Sequence, residues 1–299
     1  MNKNNDITTY FLDLDGTLID KRNKQLISYK NIEAIRLLKE YANVVISTGR
    51  NFSDPKVQEL MLLLNVKDVI SSSGSEIYID GKLVKSYSID NNIVNEIIKY
   101  AITSKTSFVT FHENGDSFYG SNNFYRLLGR TFAWKKFYEI ENYKNYISKK
   151  RVLKIALIVS KLFSAKTILK KINLYFGNEL KVNLASNNFI LELTNIKADK
   201  GLAVVAYCKL KNLSLKNTIH IGDSMSDLST KGYVGKLIAM NNSSKELKIY
   251  ADYIGPKFSK AGIAQIIHSS LNIPYKEECK YNKKINKHIF NELKNKTLD

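Results

Sequence analysis

The stretch that most constrains this chain is Phe11-Leu12-Asp13-Leu14-Asp15-Gly16-Thr17-Leu18. A short apolar run followed by Gly-Thr predicts a buried strand emptying into a loop. In an open α/β sheet, ligands bind beyond the carboxyl ends of the strands, so acids placed there are presented to a cleft. Two carboxylates one residue apart repel each other, and unless a cation sits between them one is driven to protonate. The spacing therefore points to a bound metal ion.

The residues that follow alternate between helical and strand patterns. Ser28 is placed to cap a helix carrying Ile32, Ile35, Leu38 and Tyr41 at helical spacing. Val44-Val45-Ile46 reads as a second buried strand, ending in Ser47-Thr48-Gly49-Arg50. Ser53-Asp54-Pro55 starts a second helix, with Pro tolerated in its first turn and Val57, Leu60, Met61 and Leu64 on its apolar face. Val69-Ile70-Ser71 is a third short strand. This alternation is the pattern of a parallel sheet with right-handed crossovers.

At Ser73-Gly74 the pattern changes. Two strand-like runs, Glu76 to Ile79 and Leu83 to Ser88, flank Asp80-Gly81, a hairpin signal that predicts antiparallel pairing and the start of a different module. Within it we expect helices at Asn91 to Thr103 and Ser164 to Phe176. Strands are expected at Phe108 to His112, Leu153 to Val159, Leu180 to Leu184 and Phe189 to Leu193, with a turn at Glu113 to Asp116. The α/β rhythm returns with a helix at Lys200 to Lys211 and a strand at Thr218 to Ile221. A strand at Lys236 to Met240 and helices around Ser244 to Tyr250 and Ser259 to Ser270 complete it. The expected architecture is a doubly wound parallel-sheet α/β core over residues 1–80 and 196–273, an inserted α+β cap over 81–195, and a basic tail over 274–299.

Composition narrows the class. A chain of 299 residues with 44% hydrophobic content buries a large core, and no apolar run approaches the roughly 18 residues of a membrane helix. The start lacks the apolar core of a signal peptide, so a cytoplasmic protein is expected. Cys208 and Cys279 have no spacing that suggests a zinc site or a disulfide framework. The net charge of +18 is regional, with 13 Lys/Arg against Glu139 and Glu141 between Ser121 and Leu174. Such a field concentrates anions around the protein.

Four strand exits or helix starts carry polar groups: Asp13 with Asp15, Thr48 with Gly49, Lys200, and Asp223 with Asp227. In a parallel sheet they converge on one edge. Carboxylates facing one point suit a hard cation with oxygen ligands, and Mg²⁺ completed by water and substrate phosphate fits best. A lysine and a threonine hydroxyl beside it would hold the remaining phosphate oxygens. The chemistry expected is phosphoryl transfer.

These pieces resemble the haloacid dehalogenase-like superfamily of phosphohydrolases, and within it the Cof-type branch, whose large cap follows the third strand. The resemblance rests on Asp13-Leu14-Asp15-Gly16-Thr17, Ser47-Thr48-Gly49-Arg50, Ala198-Asp199-Lys200-Gly201 and Gly222-Asp223-Ser224-Met225-Ser226-Asp227. It extends to Ala239-Met240-Asn241-Asn242, Ala251-Asp252-Tyr253 and Ala261-Gly262-Ile263, and so covers Thr9 to about Ile267. It implies Asp13 as a nucleophile that forms an aspartyl-phosphate, and Asp15 as the acid and later the base. It implies Mg²⁺ held by Asp13, Asp223 and the backbone carbonyl of Asp15, with Asp227 steadying the site from behind. Leu14 and Gly49 through backbone N–H groups, with Thr48, Lys200 and Ser226, would contact the phosphate of a small phosphorylated metabolite. Ser226 stands where this branch usually has Asn, a shorter donor that reaches phosphate through water, so reduced or altered activity is expected. Ser72-Ser73-Gly74-Ser75 likewise stands where relatives commonly carry Asn-Gly.

Two rival readings carry less. Gly222-Asp223-Ser224 would suit a serine esterase, but no downstream Asp-x-x-His accompanies it, and His112, His220, His268 and His288 read as structural. A nucleic-acid-binding protein built on an unused phosphatase scaffold would use the basic segment around Arg126, Arg130, Lys135, Lys136, Lys149, Lys150 and Arg151. Tyr125, Trp134, Phe137 and Tyr138 interleave it. The presence of every acid, the threonine and the lysine that the chemistry needs weighs against it. The same basic field would serve equally to attract small phosphate esters.

Overall fold

The computed structural model describes residues 7–20, 26–113, 115–124, 126–127, 150–159, 162–185 and 190–275. Most of the basic aromatic segment, with Tyr125, Arg130, Trp134, Lys135, Lys136, Phe137, Tyr138 and Lys149, lies outside these residues. So do Phe189 and residues 276–299 of the tail, which include Cys279 and His288. Among the described residues no helix is long and apolar enough to cross a membrane.

In chain order the strands are β1 (Thr9–Leu12), β2 (Asn43–Ser47), β3 (Val69–Ser71), β4 (Glu76–Ile79), β5 (Lys82–Ser86), β6 (Ser107–His112), β7 (Gly115–Tyr119), β8 (Val152–Ile158), β9 (Leu180–Ala185), β10 (Ile190–Asn195), β11 (Thr218–Gly222), β12 (Lys236–Ala239) and β13 (Tyr253–Ile254). They form two sheets, and the chain divides into two compact units: Met1–Arg50 with Pro55–Val84 and Asp199–Asp299, and Asn51–Asp54 with Lys85–Ala198.

The first unit holds an eight-stranded sheet in the order β13-β12-β11-β1-β2-β3-β4-β5, parallel from β13 to β3. This is the doubly wound α/β core that the alternation predicts. β1 lies between β11 and β2, with Leu12 in register with Ile221 and Ile46, so the residues after these strands emerge at one edge. Phe11, Val45, Ile70 and Ile77 form one apolar face against Ala203, Val204, Tyr207 and Cys208 of helix Lys200–Lys211. The rings of Phe11 and Tyr207 meet edge to face at 5.6 Å. Helices Tyr29–Leu38 and Gly262–Ser270 pack together, and buried Asn31 ties them by accepting from the Ala264 N–H at 2.9 Å.

Two expectations need correction here. The Asp80-Gly81 hairpin forms, with both residues at positive φ, but β4 pairs antiparallel with β3 and so extends the first sheet instead of opening a new module. The Ser72–Gly74 turn, inside the expected core, packs on the exit of β2: Ser73 N–H donates to Thr48 O at 3.0 Å and Ser72 N–H to Arg50 O at 2.8 Å. Tyr41 falls beyond the end of helix Tyr29–Leu38 and is exposed, because the helix stops at Leu38.

The second unit is a five-stranded antiparallel sheet in the order β7-β6-β8-β10-β9. Helices Asn91–Thr103 and Leu162–Phe176 bring Val94, Ile97, Ile98, Ala101, Ile168 and Ile172 into one core with Phe108, Ile155, Leu157, Leu191 and Leu193 of the strands. Of these strands only β7 escaped the sequence reading, because it begins inside the Glu113 to Asp116 turn.

Candidate active site

The loop after β1 is shaped by its glycine. Gly16 has φ +78°, and a Cβ there would come within 2.0 Å of Asp223 Oδ2, so only glycine lets the two acidic loops approach. Leu14, fully buried, anchors the loop through its carbonyl, which accepts from Leu18 N–H at 3.0 Å and Ile19 N–H at 2.9 Å. The loop after β11 closes in the same way: a Cβ on Gly222 would meet Asp227 Cγ at 2.2 Å.

Between these loops lies a buried charge cluster. Lys200 opens helix Lys200–Lys211, where Asp199 caps the helix by accepting from Gly201 N–H at 2.8 Å. Its ammonium donates to Asp13 Oδ1 and to Asp227 Oδ1, both at 2.7 Å, and its side chain is 1% exposed. Asp227 accepts a great deal more. Its Oδ1 also receives His220 Nε2 at 2.8 Å, and its Oδ2 receives Asp223 N–H at 3.1 Å, Ser224 N–H at 2.9 Å and the Ser224 hydroxyl at 2.8 Å.

The electrostatics follow from burial and from who shares the lysine. Burial pushes the Asp13 carboxyl up to about 7 against the opposing pull of Lys200. Burial, reinforced by the negative charge of Asp227, pushes Asp223 up to about 6. Burial would lift Asp227 as well, but Lys200 and the His220 hydrogen bond hold it well below the usual carboxylate range. Burial would weaken the Lys200 ammonium, yet Asp13 and Asp227 hold it above the usual lysine range. His220 is driven down by its burial.

Asp13, Asp223 and Asp227 place carboxylate oxygens within 4.8 Å of one another, a group that could hold a metal ion. With one lysine against three acids the cluster is short of positive charge, and its all-oxygen donor set suits a hard divalent cation. Asp227 already has five donors on its two oxygens, which saturates a carboxylate. Asp13 and Asp223 are therefore the side chains that fit a cation, with Asp227 behind them.

Asp15 has different surroundings. Its carboxylate turns to Arg50, which donates Nε to Oδ2 at 2.6 Å and Nη2 to Oδ1 at 2.7 Å. This bidentate pair joins the loops after β1 and β2 and draws the Thr48-Gly49 segment to the β1 exit. Thr48 is buried, with Oγ1 accepting from Arg50 N–H at 3.1 Å, while Gly49 lies against Ser73. Ser226 shares a hydrogen bond with Ser224, hydroxyl to hydroxyl, at 2.9 Å.

Arg50, Asn242 and His220 belong to this site although the sequence gives none of them a function there; Arg50 and Asn242 lie in the motifs that carry the family resemblance. Arg50 sits at a strand exit, and its charge was the available signal. Asn242 donates to Asp223 Oδ2 at 3.2 Å and Gly16 O at 2.8 Å and accepts from Phe258 N–H at 3.1 Å; its signal was an Asn-Asn pair at the exit of β12. His220 was read as structural, and nothing in the local sequence ties it to Asp227.

Residues 10–267 match the family model described as haloacid dehalogenase-like hydrolase. The chain belongs to the haloacid dehalogenase-like hydrolases. Within that family it is of the Cof type, a phosphohydrolase. It is 33% identical over 245 residues to a Buchnera aphidicola (subsp. Acyrthosiphon pisum) protein named as a phosphatase, BU028/BU029, with 80% of this chain and 86% of the relative covered. It is 27% identical over 292 residues to phosphatase YwpJ of Bacillus subtilis strain 168, covering 86% of this chain and 97% of YwpJ. In fold it is similar to the subclass IIB sugar phosphatase BT4131, with a TM-score of 0.72 at 17% identity over 89% of this chain and 100% of that one.

Proposed function

We propose that this phosphatase hydrolyses small phosphomonoesters, sugar phosphates or similar metabolites, with Mg²⁺ and through an aspartyl-phosphate on Asp13. The observation that carries the reading is the Lys200 ammonium, shared at 2.7 Å between Asp13 and Asp227 at the strand edge. An ammonium so placed restrains Asp13 and offers its remaining donor to a phosphate oxygen.

When bound, Mg²⁺ would be held by Asp13, Asp223 and the Asp15 carbonyl, offsetting the repulsion between carboxylate and phosphate. A carboxylate oxygen of Asp13 attacks phosphorus, and the bond from phosphorus to the ester oxygen breaks. Asp15 gives its proton to the departing oxygen, leaving the alcohol. Asp15 then takes a proton from water as that water attacks the phosphorus, which regenerates Asp13 and releases inorganic phosphate. Thr48, Lys200 and the backbone N–H groups of Leu14 and Gly49 hold the phosphate oxygens, with Ser226 acting through water. The unit containing residues 85–198 is the proposed substrate-selecting cap.

The test is a screen of phosphate esters, headed by sugar phosphates, with wild type and Asp13→Asn, each with Mg²⁺ and with chelator. Phosphate release by the wild type with Mg²⁺ alone is expected. Equal release by both proteins would remove Asp13 as nucleophile, and full release in chelator would remove the metal.

A further inference from the structure

Two fully buried histidines make different use of their rings. His112, in the second unit, has both nitrogens partnered, Nε2 with the Thr110 hydroxyl at 2.9 Å and Nδ1 with Arg151 O at 3.2 Å. That is the ordinary state of a structural histidine. Among the described residues His220 has only Nε2 partnered, on Asp227 Oδ1 at 2.8 Å, while its buried Nδ1 has no partner there. It stands on β11 with Phe11 and Leu237 as its register neighbours, in an environment that favours an apolar side chain. Leaving a ring nitrogen unsatisfied there costs stability, so the Nε2 bond is where a compensating role lies.

We propose that His220 is a positioning residue for the phosphate site, its Nε2–H sharing Asp227 Oδ1 with Lys200 and so setting how the lysine is divided between Asp227 and Asp13. An ionised Asp227 only accepts, so Nε2 carries the imidazole proton and Nδ1 is bare. The donor adds no charge to the cluster. It takes part of the hydrogen-bonding capacity of Oδ1 that would otherwise go to the ammonium, and burial keeps it from becoming a second cation beside Lys200. Without it, Lys200 is drawn toward Asp227 and away from Asp13 and the incoming phosphate. This inference rests on the proposed role of Lys200 in holding phosphate.

Side-chain reach supplies the test. Glutamine places its amide donor at about the distance of imidazole Nε2, asparagine places it near Nδ1, and leucine fills the space with no donor. We expect His220→Gln to keep most of the wild-type kcat/KM on an active ester. His220→Asn and His220→Leu are each expected to lose about tenfold, with inhibition by inorganic phosphate weakened in parallel. A His220→Leu protein that melts like wild type and matches or exceeds His220→Gln in kcat/KM would overturn the proposal and make His220 a core residue only. If His220→Leu does not fold, the Gln and Asn variants decide: equal losses in both overturn the proposal, and Gln above Asn supports it. If instead the wild type releases no phosphate, or Asp13→Asn equals it, the reading of the site fails. Calorimetric binding of inorganic phosphate then ranks the same variants without chemistry, with Gln above Asn and Leu expected and equal affinities overturning the proposal.

Discussion

Asp13 and Asp15 are separated by one residue and live in opposite surroundings. Asp13 faces the interior, its side chain 8% exposed, and shares a lysine that is itself buried. Asp15 sits at the rim, its side chain 55% exposed, clasped by an arginine that is 25% exposed. The interior acid is expensive to ionise and is held in one place. The rim acid is solvated and is restrained by a pair whose net worth is small. In the proposed function these are the properties each role asks for, a fixed nucleophile and a proton carrier with access to the leaving group and to water. Strand alternation would put residues two apart on one face, so the difference comes from the loop: β1 ends at Leu12, and Gly16, at φ +78°, turns the chain immediately after Asp15 and sends the second carboxylate outward.

The comparison breaks first at Lys200. Replacing it in Lys200→Met leaves Asp13 and Asp227 buried without their shared cation, and a loss of about 3–5 kcal/mol in urea unfolding is expected, together with loss of activity. A variant as stable as wild type would mean that the interior cluster carries no such charge. Asn242→Ala sharpens the metal side of the comparison. It frees Asp223 of its amide donor, and the Mg²⁺ concentration for half-maximal activity should rise about 10-fold to 100-fold. No change would place the cation elsewhere. The rim is tested by Arg50→Gln, where stability should move by no more than about 1 kcal/mol. Activity in that variant should fall through kcat more than through KM, since Asp15 loses its orientation; a stability loss as large as that of Lys200→Met would erase the distinction between rim and interior.

Much of this site was legible in the residues. Apolar runs ending in polar residues and glycine mark β1, β2 and β11, and parallel strands bring such ends together, so Asp13, Lys200, Asp223 and Asp227 were foreseeable as neighbours. The partners that set their states were not. Arg50 finds Asp15 across 35 positions and Asn242 finds Gly16 across 226, contacts that no local period encodes. The same limit explains the hairpin. Asp80-Gly81 announces a turn, but the pairing of β4 with β3, which attaches it to the first sheet, depends on a neighbour three residues long. Strand β13 has only two residues, too few to show alternation.

The central claim is that phosphorus passes through Asp13. Rapid acid quench during turnover of an active ester with Mg²⁺, followed by peptide mass spectrometry, tests it directly. The account predicts one phosphoryl group on the peptide containing Asp13, appearing within a turnover and absent from Asp13→Asn. Steady hydrolysis with no phosphorylated peptide at any quench time, or with the phosphoryl group on another residue, would contradict it.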